Sequence, residues 1–403
     1  MHFSTTIVAC SFLILLLVFS SLYSTFHFQN IITSASAAYV NASASVALFD
    51  NQTKTKTTSS PSSFDKQTAT SYFIFPSQKA FFGRTANATK QVDAAMLSGK
   101  WTIQQSRAIA TEFSSLAKKV NKPSPQMKSI TDYYVATSGG KDKILLRIYD
   151  PGVMQKPSPV LIFVHGGGWT VGSVDIYDDS IRRLANSSGL MVAAMDYRLA
   201  PEHPFPTGLN DVISTAKWIA NNGTRLGIDT NKMALGGDSA GANLALSAAL
   251  ALHNSNNNTT KQHHNLFRVL YLLYGPYSPD LLNSTSMKMF GDLEFGLTYG
   301  QMKFVMNQTF KNGSDYKNPL AFPLLAKNLS GLPPIYIAAM ALDPLKDDSI
   351  KLADHLQQQG QEYYLTIWPG VSHGALSLIP ITPEIQKYLD AMTTYLRVVL
   401  TQS

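Results

Sequence analysis

Beyond Ile130 the chain alternates between short apolar, β-branched runs and stretches with helical spacing. The runs predict strands over 143–149, 160–164, 191–195, 233–235, 268–274, 334–339 and 364–367, and the intervening stretches predict helices over 178–186, 208–221, 242–253, 347–359 and 383–400. Strands apolar at consecutive positions, not alternate ones, are buried on both faces. The fold class is therefore α/β, with a mostly parallel central sheet covered by helices on both sides. The rhythm breaks between Pro276 and Leu332, where Met287, Met289, Phe290, Phe295, Phe304 and Phe310 occur without strand spacing and predict an inserted helical cap. Upstream, Val92, Ala95 and Met96, then Ile109, Phe113 and Leu116, predict two helices closed by Pro123 and Pro125.

The N-terminal part follows a different pattern. Ile7 to Phe19 is apolar apart from Cys10 and Ser11, which suits the core of a signal peptide better than a full span of about 20 residues. Ala35-Ser36-Ala37 offers a cleavage site, but no Lys or Arg precedes Lys54 to set orientation, so an uncleaved anchor and a buried helix stay open as alternatives. A Ser/Thr-rich tract follows that buries too little apolar surface to offset its ordering entropy. The expected organisation is a signal peptide or signal anchor over 1–37, a linker over 38–85, and a folded domain over 86–403 whose cap comes from 86–125 and 276–332.

Asparagines bear on the compartment. With 21 Asn and 71 Ser or Thr, chance predicts about four N-x-S/T sequons. The chain has eleven: Asn41, Asn51, Asn87, Asn186, Asn222, Asn257, Asn258, Asn283, Asn307, Asn312 and Asn328. Together with the apolar N-terminus they favour the secretory pathway, with a secreted or lumenal product or one held to the membrane by its N-terminal segment. An Asn-rich composition alone is the competing explanation.

Composition narrows the chemistry. With 45% hydrophobic and 15% charged residues the chain is neither disordered nor collagenous. Its only cysteine, Cys10, lies in the apolar leader, which excludes a disulfide scaffold, a thiolate nucleophile and cysteine-ligated metal from the folded part. The net charge of +7 is spread over isolated residues and pairs such as Lys118-Lys119, not a stripe, so no nucleic-acid partner is expected. His263 and His264 lie in an Asn-rich tract without carboxylates or regular spacing, and no metal site is expected there.

The strongest motif is Gly237-Asp238-Ser239-Ala240-Gly241, set between a predicted strand and a predicted helix. A serine at such a corner is held in a strained turn that exposes its hydroxyl, the arrangement called a nucleophile elbow; an ordinary helix N-cap is the alternative. A hydroxyl needs a base and the base an orienting acid. His373 and Asp343 both follow predicted strands, in the chain order Ser, Asp, His that such elbows use. His165 and His203 fit structural roles, and Asp347 and Asp348 fit helix-capping roles, with Asp347 the next choice of acid. His165-Gly166-Gly167-Gly168-Trp169 follows another strand, and its backbone N–H groups, with that of Ala240, can form an oxyanion hole. Which two of Gly166, Gly167 and Gly168 donate stays open. Trp169 either walls the pocket or packs.

These motifs, with Tyr197-Arg198-Leu199-Ala200-Pro201-Glu202-His203-Pro204-Phe205-Pro206 and Asp343-Pro344-Leu345, resemble the hormone-sensitive-lipase family of carboxylesterases over roughly residues 86–403. The resemblance implies an α/β-hydrolase fold with a helical cap and hydrolysis of small-molecule esters of short to medium acyl chain, without metal or cofactor. A lumenal placement is most similar to its arylacetamide-deacetylase branch. Glu202 and His203 are expected to be structural. Competing readings are an amidase or formamidase-like hydrolase and a ligand-binding protein on the same fold; related receptors have lost the histidine that His373 supplies here. Oligomeric state is not legible.

Overall fold

The computed structural model describes residues 73–120, 123–257, 265–291, 296–380 and 382–402. The predicted leader, most of the predicted linker, Asn41, Asn51, Asn258, His263, His264 and Phe295 lie outside the described residues.

Strand β3 (Ser158–Val164) shows how the fold is made, because all of its residues are buried. Val160, Ile162 and Val164 enter one apolar core, while Leu161 and Phe163 enter another on the opposite side. Successive side chains of a strand point to opposite faces, so such a strand is stable only with both faces covered. Each of these side chains contributes on the order of 1.5–3 kcal/mol by leaving water.

Around it lie β1 (Ser129–Ala136), β2 (Lys143–Asp150), β4 (Met191–Met195), β5 (Ile228–Asp238), β6 (Val269–Leu273), β7 (Ile335–Leu342) and β8 (Tyr363–Ser372). They form one sheet of order β1-β2-β4-β3-β5-β6-β7-β8. The β1–β2 and β2–β4 pairs are antiparallel and the rest parallel. The seven anticipated strands are present. β1 was not anticipated; it is a mostly exposed edge strand whose apolar run is confined to Tyr133 to Ala136.

The helices are α1 (Pro76–Leu97), α2 (Ile103–Val120), α3 (Asp178–Ser188), α4 (Thr207–Asn222), α5 (Ala240–Asn257), α6 (Thr285–Phe290), α7 (Tyr299–Thr309), α8 (Lys346–Gln358), α9 (Ala375–Leu378) and α10 (Ile385–Thr401). Leu209, Val212 and Ile219 of α4, Leu246 of α5 and Leu352 of α8 fill the core beside Ile162. Ile181 and Leu184 of α3 and Leu389 and Leu396 of α10 fill the one beside Phe163. Gly189 ends α3 in the left-handed conformation, its N–H donating to the Ala185 carbonyl. Among the described residues no helix is long and apolar enough to cross a membrane.

Two boundaries differ from expectation. The stretch assigned to a linker up to residue 85 is helical from Pro76, which occupies the first turn where a missing N–H costs nothing. Gln78 and Phe82, one turn apart, are buried along α1, and Phe81 packs edge-on against Phe113 of α2. The inserted segment is only partly helical: among its described residues, one short 3-10 turn precedes α6, two follow α7, and the rest is irregular chain. Breakers at Gly291, Gly313, Pro319 and Pro323 account for this. α7 starts with a reciprocal cap between Thr298 and Gln301 and lays Met302 and Met306 into the core that holds Trp169 and Ala240.

Candidate active site

β5 ends at Asp238 and α5 begins at Ala240, so Ser239 alone makes the corner, with φ of 51°. That conformation is strained for any residue with a Cβ. Close packing beneath it imposes the flanking glycines. A Cβ on Gly237 would lie 2.2 Å from the Val164 carbonyl oxygen, and one on Gly241 would lie 2.0 Å from the same atom. The end of β3 thus passes where side chains at Gly237 and Gly241 would be. Ser239 Oγ lies 2.9 Å from His373 Nε2, a contact that an ordinary N-cap serine would not make.

The histidine and its partner each directly follow a strand. β8 runs to Ser372 and β7 to Leu342, both farther than the apolar runs indicated, so His373 and Asp343 stand at adjacent strand ends. His373 Nδ1 is 2.9 Å from Asp343 Oδ2. Asp343 is fully buried, and its other oxygen accepts the Leu345 N–H at 2.7 Å. The rival carboxylates have other work. Asp347 accepts the Ser286 N–H at 2.9 Å, and Asp348 accepts those of Tyr277 and Ser278 at 2.6 and 2.8 Å, so both hold the start of the inserted segment. Burial pushes the Asp348 carboxyl up to about 7, against the pull of those N–H groups.

The glycine loop divides its N–H groups. That of Gly166 donates to Asp238 Oδ1 at 2.8 Å and to Tyr177 Oη at 3.1 Å, which removes it from the set of expected oxyanion donors. The N–H groups of Gly167, Gly168 and Ala240 have no acceptor among the described residues. Val305 of α7 lies over Gly168, within 2.9 Å of where a Cβ would be, so the inserted segment covers this loop. His165 is buried away from Ser239, its Nδ1 2.8 Å from the Gly166 carbonyl oxygen, and burial lowers it to about 4. Trp169 packs edge-on against Phe310 and lines a narrow cavity with Phe205, His203 and Thr309. That cavity includes neither Ser239 nor His373.

Three contributors carried no sequence signal. Asn243 of α5 donates to the Pro276 and Ala321 carbonyls, both at 2.9 Å, tying the nucleophile's helix to the inserted segment. Gln78 of α1, fully buried, accepts the N–H of Ser372, the residue before His373, at 3.0 Å. Arg107 of α2 donates to the carbonyls of Thr170 at 2.9 Å and Ala200 at 3.0 Å and takes Glu202 in a two-pronged pair. Glu202 therefore has the structural role expected of it. Among the described residues no three His, Cys, Asp or Glu side chains converge as metal ligands would.

A serine hydroxyl, an imidazole and a carboxylate in series, beside unpaired backbone donors, form the constellation used in acyl transfer. A sequence profile of the alpha/beta hydrolase fold matches residues 161–377. The chain is 33% identical over 263 residues to the carboxylic ester hydrolase LipN of Mycobacterium tuberculosis, covering 64% of this chain and 68% of that one. It is 29% identical over 277 residues to the ethyl acetate hydrolase of Pseudomonas putida, covering 68% of this chain and 83% of the relative. The hyperthermophilic esterase from Pyrobaculum calidifontis superposes with a TM-score of 0.72 at 29% identity, over 81% of this chain and 98% of that one. The chain belongs to the alpha/beta hydrolase family of carboxylesterases, and it is a carboxylic ester hydrolase.

Proposed function

We propose that this enzyme hydrolyses short- to medium-chain carboxylic esters through an acyl-enzyme on Ser239. The observation that carries this is the unbroken series from Ser239 Oγ to His373 Nε2 and from His373 Nδ1 to Asp343, each link 2.9 Å. Oγ attacks the ester carbonyl as His373 Nε2 takes its proton, and Asp343 accepts the Nδ1–H, fixing the tautomer and favouring the imidazolium. The carbonyl oxygen becomes an anion facing the N–H groups of Ala240 and of Gly167 and Gly168. His373 returns the proton to the departing alcohol, and water then repeats the cycle to release the acid.

The acyl preference is supported by Val305 over the glycine loop, by the buried Met302 and Met306 behind it, and by likeness to an ethyl acetate hydrolase. A p-nitrophenyl ester series, with labelling by an organophosphate, tests the whole reading. Fast turnover and a single adduct on Ser239 are expected; no turnover, or an adduct elsewhere, would overturn it.

Entry into the secretory pathway completes the proposal. The sequons at Asn87, Asn186, Asn283, Asn307, Asn312 and Asn328 have exposed asparagines, as attachment of a glycan requires. Asn222 is half-buried and its amide donates to the Trp218 carbonyl, so it is expected to stay unmodified. Expression in a eukaryotic secretory host should give a product whose gel mobility rises on glycosidase treatment, and carbonate extraction separates cleaved from anchored forms. An unmodified cytosolic product would end this part of the reading.

A further inference from the structure

The nucleophile's neighbour, Asp238, is the one site carboxylate to which the reaction above assigns no step. It is 2% exposed, and among the described residues no lysine or arginine pairs with it. Its partners come from the glycine loop, from Tyr177 just before α3 and from Tyr274 just after β6. Oδ1 accepts the Gly166 N–H at 2.8 Å, and Oδ2 accepts the hydroxyls of Tyr177 at 3.1 Å and Tyr274 at 3.2 Å. Tyr274 Oη in turn accepts the N–H of Leu376, in the helix just after His373, at 3.2 Å. The ring of Tyr274 meets the His373 imidazole edge-on, with centroids 5.2 Å apart. One carboxylate thus joins the oxyanion loop to the histidine loop directly beneath Ser239.

We propose, on the basis of the esterase reading, that Asp238 is a positioning residue whose hydrogen bonds set the glycine and histidine loops against Ser239 and whose negative charge favours the imidazolium form of His373. The Gly166 bond explains why this N–H turns away from the site while the next two are left for the oxyanion. The charge is the second half. A buried carboxylate without a cation is costly, and an asparagine of the same shape would avoid that cost. Burial pushes the carboxyl up to about 6, opposed by the Gly166 and tyrosine bonds and by His373. It is therefore ionised at pH 7 to 8, when His373 must receive a proton. The other titratable groups facing it are Tyr177, Tyr197 and Tyr274, all raised by burial and so neutral. His165, stacked on Tyr197, is lowered and neutral as well. In the folded protein the carboxyl holds its proton above its unfolded value of about 3.9, so ionisation costs stability progressively between about pH 4 and 6.

Wild-type hydrolysis of p-nitrophenyl butyrate is the reference; its absence would sink the esterase reading and not this one. With the wild type active, Asp238→Asn is expected to lower kcat about tenfold, roughly one charged hydrogen bond, while KM stays within about twofold. The melting temperature of Asp238→Asn relative to wild type should rise as pH increases from about 4 to 6 and then level off. A wild-type kcat, or a loss that falls on KM instead, overturns the proposal. Should that variant fail to fold, Tyr274→Phe removes only the hydroxyl between Asp238 and Leu376. A kcat lowered about threefold to tenfold supports the proposal, and a wild-type kcat overturns it.

Discussion

Two regions of the molecule build the site by different means. The loops at the C-terminal ends of β5, β7 and β8 place Ser239, Asp343 and His373 by chain connection, since each is the residue directly after a strand whose neighbours are locked in register. The regions over them, α1, α2 and the segment from Pro276 to Leu332, reach the site by long-range contacts such as Gln78 to Ser372, Arg107 to Thr170 and Val305 over Gly168. Chemistry resting on strand ends is fixed by the whole sheet, whereas the covering regions act on it through side chains that reach the loops. Damage to the first should abolish turnover, and damage to the second should adjust it.

The sharpest break is at the nucleophile. Ser239→Ala should lower kcat by about 10⁶-fold with an unchanged melting temperature, because alanine fits the turn and only the hydroxyl is lost. Residual turnover within about a hundredfold of wild type would remove Ser239 from its role. Next, Asp343→Asn should cost about 10⁴-fold in kcat by favouring the wrong imidazole tautomer. Asp347→Asn should cost far less, since its carboxylate is occupied with the Ser286 N–H. Comparing the two variants in one steady-state assay checks the assignment, and the reverse order would refute it.

The same contrast explains what was legible in the sequence. Strand-end residues announce themselves, because an apolar run, a turn and a helix start are local patterns; the elbow, Asp343 and His373 all stood in such patterns. Gly166 did not separate from Gly167 and Gly168, since which N–H turns toward Asp238 depends on a partner 72 residues away. Gln78 lay within a stretch read as linker, and its contact with Ser372 spans 294 residues. β1 is an edge strand, mostly exposed, and its first half, Ser129 to Asp132, is largely polar. The extra lengths of β7 and β8 arise from pairing across Leu342 and Ser372, which spacing does not record.

A smaller effect tests the covering region. Arg107 donates to two loop carbonyls and to Glu202, and the ion pair, with side chains 32% and 47% exposed, contributes little by itself. The fork geometry on Thr170 and Ala200 should matter more. Arg107→Ala and Arg107→Lys are therefore both expected to lower kcat/KM about tenfold, since lysine keeps the charge but not the fork. Glu202→Gln should change kcat/KM by less than about twofold. Full activity in Arg107→Lys would show that charge alone suffices.

The smallest expected effect concerns acyl length. Each methylene that fills an apolar pocket gains about 0.8 kcal/mol, or roughly fourfold in kcat/KM, until the pocket is full and overpacking reverses the trend. With Val305 against the glycine loop and Met302 and Met306 packed behind it, kcat/KM should peak near about four carbons and decline beyond about eight. Val305→Ala removes two methyl groups beside Gly168 without touching a strand-end residue. It should shift the optimum by about one or two carbons toward longer chains and leave turnover of an acetyl ester within about fourfold of wild type. The shift separates a pocket roofed by α7 from one bounded by the sheet, because only the former gains room when Val305 is cut back. An unchanged optimum would place the acyl chain away from α7, and a preference for long-chain emulsified triglycerides would defeat the closed pocket altogether.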